Sequence, residues 1–177
     1  MTCIVGLVSG GKVYIGADSL ASNGFDKEVR KEPKVFENGE YLIGCSGSIR
    51  MMNILKWRFN PPTLKDGDDI HKFMCLDFVS EMKDCLLDSG CSEKEGLWDI
   101  GTNSEILVAI KGRLFKIQYD FQVAEYKYTA CGSGEYHALG CMYYVDKTKP
   151  KKAIKKALSA AENFVVSVQR PFVIMSK

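Results

Sequence analysis

The opening stretch, TCIVGLV followed by KVYIGA across Gly10-Gly11, constrains the fold more than any other part of the chain. Both segments are apolar and rich in β-branched residues, and the paired glycines supply the positive φ angles of a tight turn, so the chain begins with a β-hairpin. Apolar side chains fall at odd positions (Cys3, Val5, Leu7) and at even ones (Ile4, Val8). A strand with one wet face alternates, whereas this pattern requires cover on both faces. The hairpin therefore predicts a sheet sandwiched between other layers.

The rest of the pattern supplies those layers. Val35-Phe36, the turn Glu37-Asn38-Gly39-Glu40 and Tyr41 to Cys45 read as a second hairpin. A helix follows, with Ser48 as N-cap, Met51, Leu55 and Phe59 at four-residue spacing, and Pro61-Pro62 as its stop. Asp68 or Asp69 caps another, whose stripe runs Ile70, Met74, Phe78, Met82 and Cys85 or Leu86 and ends near Gly90. Residues 104–130 read as an antiparallel meander (EILVAIKG, RLFKIQYD, VAEYKYTAC). Gly132-Ser133-Gly134 then opens a helix with Ala138, Leu139, Met142 and Tyr143 inward. A helix after Pro150 carries Ile154, Ala157, Leu158, Ala161 and Phe164 or Val165, and Pro171 to Met175 returns as an edge strand. The order of strands, helix pair, strands, helix pair fits two sheets flanked by helix layers. With 177 residues, 46% of them hydrophobic, and no linker or low-complexity segment, residues 1–177 are expected to form one domain.

Charge and cysteine content narrow the function classes. A formal net charge of +2 favours neither a nucleic-acid nor a membrane surface, and the basic run Lys147 to Lys156 reads as a solvated helix entry. The seven cysteines form an odd set without a CxxC pair, as expected of free thiols in a reducing compartment. No leader pattern or membrane span is read from the sequence, so a cytoplasmic location is expected, with only Met1 preceding Thr2. His71 and His137, far apart and without ligand spacing, point to no metal site, and no cofactor is expected. Trp57 and Trp98 read as fillers between layers.

Thr2 carries the chemistry. Once Met1 is removed, its α-amine lies beside its own hydroxyl, placing nucleophile and proton acceptor in one residue. Thr2 before an apolar strand, Gly16-Ala17-Asp18-Ser19, Lys34 before a hairpin, Ser46-Gly47-Ser48, and Ala130-Cys131-Gly132-Ser133-Gly134 before a helix occur in an order and at intervals that resemble the proteasome β-subunit family. That family includes the HslV-type peptidases and lies within the N-terminal nucleophile hydrolases. The resemblance is carried by residues 2–48 and 129–145. It implies an α+β fold, a four-layer αββα sandwich of two antiparallel sheets flanked by helices, and threonine-type peptide hydrolysis in a homo-oligomeric assembly.

It also implies roles. Thr2 Oγ1 attacks the carbonyl and the α-amine takes its proton, Lys34 supplies a fixed positive charge, and Asp18 holds Lys34 in register. Gly47 offers a backbone N–H to the oxyanion, and Ser133 binds the terminal amine. Ser19, Cys45, Ser46 and Ser48 are the expected substrate-binding positions, although for Cys45 a packed core thiol is the stronger reading. Near the end of the last long helix, where the family has an acidic residue and a later hydroxyl, Glu162 or Asn163 and Ser167 are the candidates. The implied partners are a peptide or unfolded-protein substrate and an ATP-dependent unfoldase. An amidase acting on a small amide and a non-catalytic assembly or binding protein are the alternatives, separated by intact mass, oligomeric size and peptide turnover.

Overall fold

The computed structural model describes residues 2–22, 26–91 and 104–177. The first hairpin pairs β1 (Ile4–Ser9) with β2 (Lys12–Ala17) in the register Ile4↔Ala17 to Ser9↔Lys12. These are the two central strands of a four-stranded antiparallel sheet. Its edges are β10 (Tyr128–Cys131), paired with β1, and β11 (Val173–Ser176), paired with β2. The double-sided apolar pattern is resolved as two cores. Cys3, Val5 and Leu7 point to the helices α4 (Glu135–Tyr144) and α5 (Pro150–Phe164), where they meet Ala138, Met142, Ile154 and Leu158. Ile4, Ile15 and Ala17 point the other way and pack on Leu42, Leu107 and Leu114 of a second sheet.

That second sheet has the order β5 (Val35–Asn38), β6 (Tyr41–Ser46), β7 (Glu105–Ile110), β8 (Arg113–Ile117), β9 (Val123–Tyr126), antiparallel throughout. Period-2 alternation sends Leu107 and Ala109 into the inter-sheet core, and Ile106, Val108 and Ile110 outward. The outward set packs under α1 (Ile49–Trp57), α2 (Ile70–Phe73), a π-helical turn (Met74–Phe78) and α3 (Val79–Asp88). The layer sequence is therefore helix, sheet, sheet, helix, as expected. A fully buried Leu or Ile contributes about 1.5–3 kcal/mol, so the three cores together dominate the favourable side of folding.

Local chemistry sets the element ends. Ser48 Oγ accepts the Met51 N–H at 3.2 Å and Asp69 accepts that of Lys72 at 3.0 Å, each satisfying an otherwise orphaned donor of a first turn. Several expectations need correction. The segment VAEYKYTAC is two strands in different sheets: β9 is a half-exposed edge, while β10 crosses at Lys127 to β1, where Ala130 and Cys131 are covered on both faces. Tyr143 and Phe164 face outward, leaving Leu139 and Val165 to pack inward. Trp57 is exposed and lies beneath the Lys56 ammonium, because the inward positions of α1 are taken by Met51, Met52 and Leu55; Trp98 lies outside the described residues. A small hairpin, β3 (Leu20–Ser22) with β4 (Lys27–Val29), was not anticipated. Among the described residues no helix is long and apolar enough to cross a membrane.

Candidate active site

Three elements converge on Thr2. It is buried two residues before β1, Asp18 follows the end of β2, and Lys34 immediately precedes β5. The Lys34 Nζ donates to Thr2 Oγ1 at 2.7 Å, to Asp18 Oδ1 at 2.9 Å and to the Leu20 carbonyl at 2.7 Å. An ammonium has three protons, and all three are committed here. While charged, Lys34 is thus a donor to the threonine oxygen and cannot accept its proton. Burial lowers the Lys34 pKa from its ordinary 10.5, and the Asp18 carboxylate opposes that without cancelling it.

Asp18 is the fixed point of this corner. Its Oδ1 also accepts the Cys3 N–H at 3.0 Å, and its Oδ2 accepts those of Leu20 at 3.0 Å and Gln169 at 3.4 Å. One carboxylate thus ties the segment entering β1, the β2–β3 turn and the loop after α5 to the lysine. A buried ammonium without such a partner would be strongly disfavoured.

The opposite side of Thr2 is held by the loop entering α4. Thr2 N donates to Ser133 Oγ at 3.1 Å, Ser133 Oγ lies 3.2 Å from the Thr2 carbonyl, and Gly134 N donates to that carbonyl at 3.2 Å. Gly132 has φ +87°, and a Cβ there would sit 2.4 Å from the Thr2 carbonyl oxygen, so only glycine permits the approach. Ser133 in turn shares a hydrogen bond of 3.0 Å with Ser167, which is buried. Of the three candidates near the end of α5, Ser167 alone meets this group. Glu162 is half-buried with its carboxylate engaged by Arg170, and Asn163 is exposed.

Gly47 completes the arrangement. Its φ of +95° and the proximity of Ser104, whose Oγ would lie 2.3 Å from an added Cβ, reserve the position for glycine. Ser104 Oγ also accepts the Ser48 N–H at 3.3 Å, fixing the turn between β6 and α1. A cleft of about 380 Å³ opens over Thr2, Lys34 and Gly47 and is walled by Leu20, Ala21, Ser22, Asp26, Glu28 and Ile49. A larger cleft of about 820 Å³ runs between residues 62–69 and the outer face of α2 to α3, but it contains none of these groups. Chemistry, and not volume, identifies the smaller one.

The structure brings Thr2, Asp18, Lys34, Gly47 and Ser133 together. It treats the expected substrate-binding positions differently. Ser19 is buried between the Gln169 carbonyl and the Arg30 N–H, and Ser46 is buried with its hydroxyl on the Glu105 carbonyl. Cys45 packs in the core under α1, where burial raises its thiol pKa well above the ordinary value. Ser48 is exposed and spent on capping α1. None of these four lines the cleft, whose wall comes instead from β3, β4 and Ile49. Cys3, beside Thr2, is fully buried and its thiol pKa is pushed upward by burial, so it offers no thiolate. His137 stacks on Phe164 at the surface, and among the described residues no cluster suited to a metal ion occurs.

No protein-family model matches the sequence. No curated protein matches it either. Solved structures do. BPH of Thiobacillus denitrificans is 22% identical, with a TM-score of 0.81 over 99% of this chain and 97% of that one. The same protein in complex with epoxomicin is 21% identical, with a TM-score of 0.80 over 99% and 98%. Eukaryotic HslV from Trypanosoma brucei is 15% identical, with a TM-score of 0.68 over 99% and 98%. The chain therefore has the N-terminal nucleophile hydrolase fold of the HslV and proteasome homologues.

Proposed function

We propose that this chain is a threonine-type hydrolase of peptide bonds whose nucleophile is Thr2 after removal of Met1, working as one domain, residues 1–177, in a homo-oligomer. The observation that carries this reading is the 2.7 Å contact between Lys34 Nζ and Thr2 Oγ1, backed by Asp18. An ammonium fixed against a hydroxyl oxygen stabilises the alkoxide that forms as the proton leaves. The liberated α-amine, with an ordinary pKa of about 8, takes that proton directly or through a water. Thr2 Oγ1 bonds to the substrate carbonyl carbon, and the Gly47 N–H meets the developing oxyanion. The C–N bond breaks as the departing amine receives the proton held on the Thr2 nitrogen. Water, deprotonated by the same nitrogen, then releases the acid and regenerates Thr2. Ser133 and Ser167 orient that nitrogen throughout.

The substrate side of the proposal is a peptide or unfolded chain laid across the walls from Leu20 to Ser22, with an ATP-dependent unfoldase as feeding partner. The reported complex of the Thiobacillus protein with epoxomicin makes an epoxyketone a reasonable probe for this site. One observation favours a second, non-catalytic reading as an assembly protein: Ser133 is backed by a hydroxyl, while the carboxylate of Glu162 is turned to Arg170. Intact mass, light scattering and hydrolysis of fluorogenic peptides on native material decide between them. Loss of one methionine, a closed multimer and turnover support the peptidase; retention of Met1 with no turnover supports the assembly protein, and an active monomer supports a small-amide hydrolase.

A further inference from the structure

Lys116 on β8 is buried between the sheets, away from the proposed nucleophile's own contacts, and is the centre of a second ion cluster. Its Nζ is 2.9 Å from Glu105 Oε1 and 3.0 Å from Glu135 Oε1, and it donates to the Ala130 carbonyl at 3.1 Å. Glu105 opens β7 on the same face as Leu107, which lies directly across from Lys116, so strand geometry alone places the pair on a diagonal. The two carboxylates differ in what else they do. Glu105 Oε2 accepts the Gly132 N–H at 3.3 Å. Gly132 is the residue at which an added Cβ would collide with the Thr2 carbonyl, and the next two residues grip the Thr2 backbone. Among the described residues the Glu135 carboxylate makes no hydrogen bond to that loop's amides; it serves Lys116.

We propose that Glu105 is a positioning residue for hydrolysis: clamped by Lys116, it fixes Gly132 and through it the Ser133–Gly134 grip that aims the Thr2 amine and hydroxyl. This rests on Thr2 being the nucleophile. Both carboxylates lie mainly out of solvent, so the clamp is stiff, and the Lys116 pKa is raised because the two carboxylate partners outweigh the opposing effect of burial. A shift of the loop by a fraction of an ångström displaces the nitrogen from the proton it must accept.

The two carboxylates supply the test. Glu105→Gln and Glu135→Gln each remove one charge from the same ammonium, but only the first disturbs Gly132. The processed protein and both variants are compared for thermal stability, for kcat and KM on a fluorogenic peptide, and for hydrogen exchange of the peptide spanning residues 130–136. The expected result is a kcat loss of about tenfold to a hundredfold in Glu105→Gln with KM within about twofold, faster exchange in the loop, and kcat within about twofold in Glu135→Gln. Glu105→Asp, which keeps the charge but shortens the reach, is expected to lose kcat likewise and stands in should Glu105→Gln not fold. Equal kcat losses in the two Gln variants, or unchanged kcat in a folded Glu105 variant, overturn the proposal. Should the processed wild type itself fail to turn over, the hydrolase reading fails. The exchange data then still judge the clamp, and equal loop exchange in the two Gln variants rejects it.

Discussion

Lys34 and Lys116 are buried to the same degree, 5% and 4% exposed, yet their surroundings push them in opposite directions. Lys34 faces one carboxylate, a hydroxyl and a carbonyl, and burial leaves its pKa lowered. Lys116 faces two carboxylates and a carbonyl; burial opposes its charge there too, but the paired hydrogen bonds prevail and its pKa is raised. The comparison teaches that a second carboxylate converts a buried ammonium from a group held under tension into a structural anchor. At Lys34 the missing carboxylate is replaced by the Thr2 oxygen, so the charge that is least compensated is the one aimed at the proposed nucleophile. At Lys116 the surplus negative charge grips a loop.

The largest expected effect lies at the Thr2 end of this contrast. Thr2→Ala is expected to cut peptide hydrolysis by at least about a thousandfold while leaving the fold and assembly size in place, because it removes only a hydroxyl and one methyl from the lining of the cleft. Lys34→Ala comes next, with a loss of about two to three orders of magnitude in kcat, comparable to removing a preorganised transition-state donor. If Lys34→Ala kept its turnover, the asymmetry between the lysines would have no chemical meaning.

Lys116→Met sharpens the other arm. It strands Glu105 and Glu135 beside each other, and urea denaturation is expected to show about 3–5 kcal/mol of lost stability. Its kcat is expected to fall less than that of Lys34→Ala. The smallest effect is in the pH dependence of stability. Between the lowered folded pKa of Lys34 and 10.5 the unfolded chain holds more protons, so the Lys34 contribution to stability rises with pH across that window. Lys116 does the reverse: its contribution is fully present below 10.5 and is lost as pH climbs through its higher folded value. Denaturation midpoints of Lys34→Met and Lys116→Met against wild type at alkaline pH are expected to give difference curves of opposite slope.

The layered architecture was legible because double-sided burial leaves a mark that periodicity detects: Cys3, Val5 and Leu7 against Ile4, and Ile106, Val108 and Ile110 against Leu107 and Ala109. Periodicity does not say which sheet a strand joins. The crossing at Lys127 therefore went unseen, although the change from half-exposed Val123–Tyr126 to fully covered Ala130 and Cys131 is its physical signature. In the candidate site, Thr2, Asp18 and Lys34 lie at strand ends that the sequence marks with glycine, proline and charge. Ser19, Cys45 and Ser46 show the limit of that logic, since neighbours of a site residue along a strand alternate away from the cleft or into the core. Glu105 and Ser104 carry no local signal, because their partners Gly132 and Ser48 are set by packing between elements distant in sequence.

The central claim is that freeing the nitrogen of Thr2 creates the reactive centre beside Lys34. Its most direct test is to treat the processed protein with an epoxyketone or a β-lactone and map the covalent adduct by mass spectrometry. The account predicts a single adduct on Thr2 that is absent from Thr2→Ala and strongly diminished in Lys34→Ala. An adduct on any other residue, or an unlabelled Thr2 in protein shown to lack Met1, would contradict it.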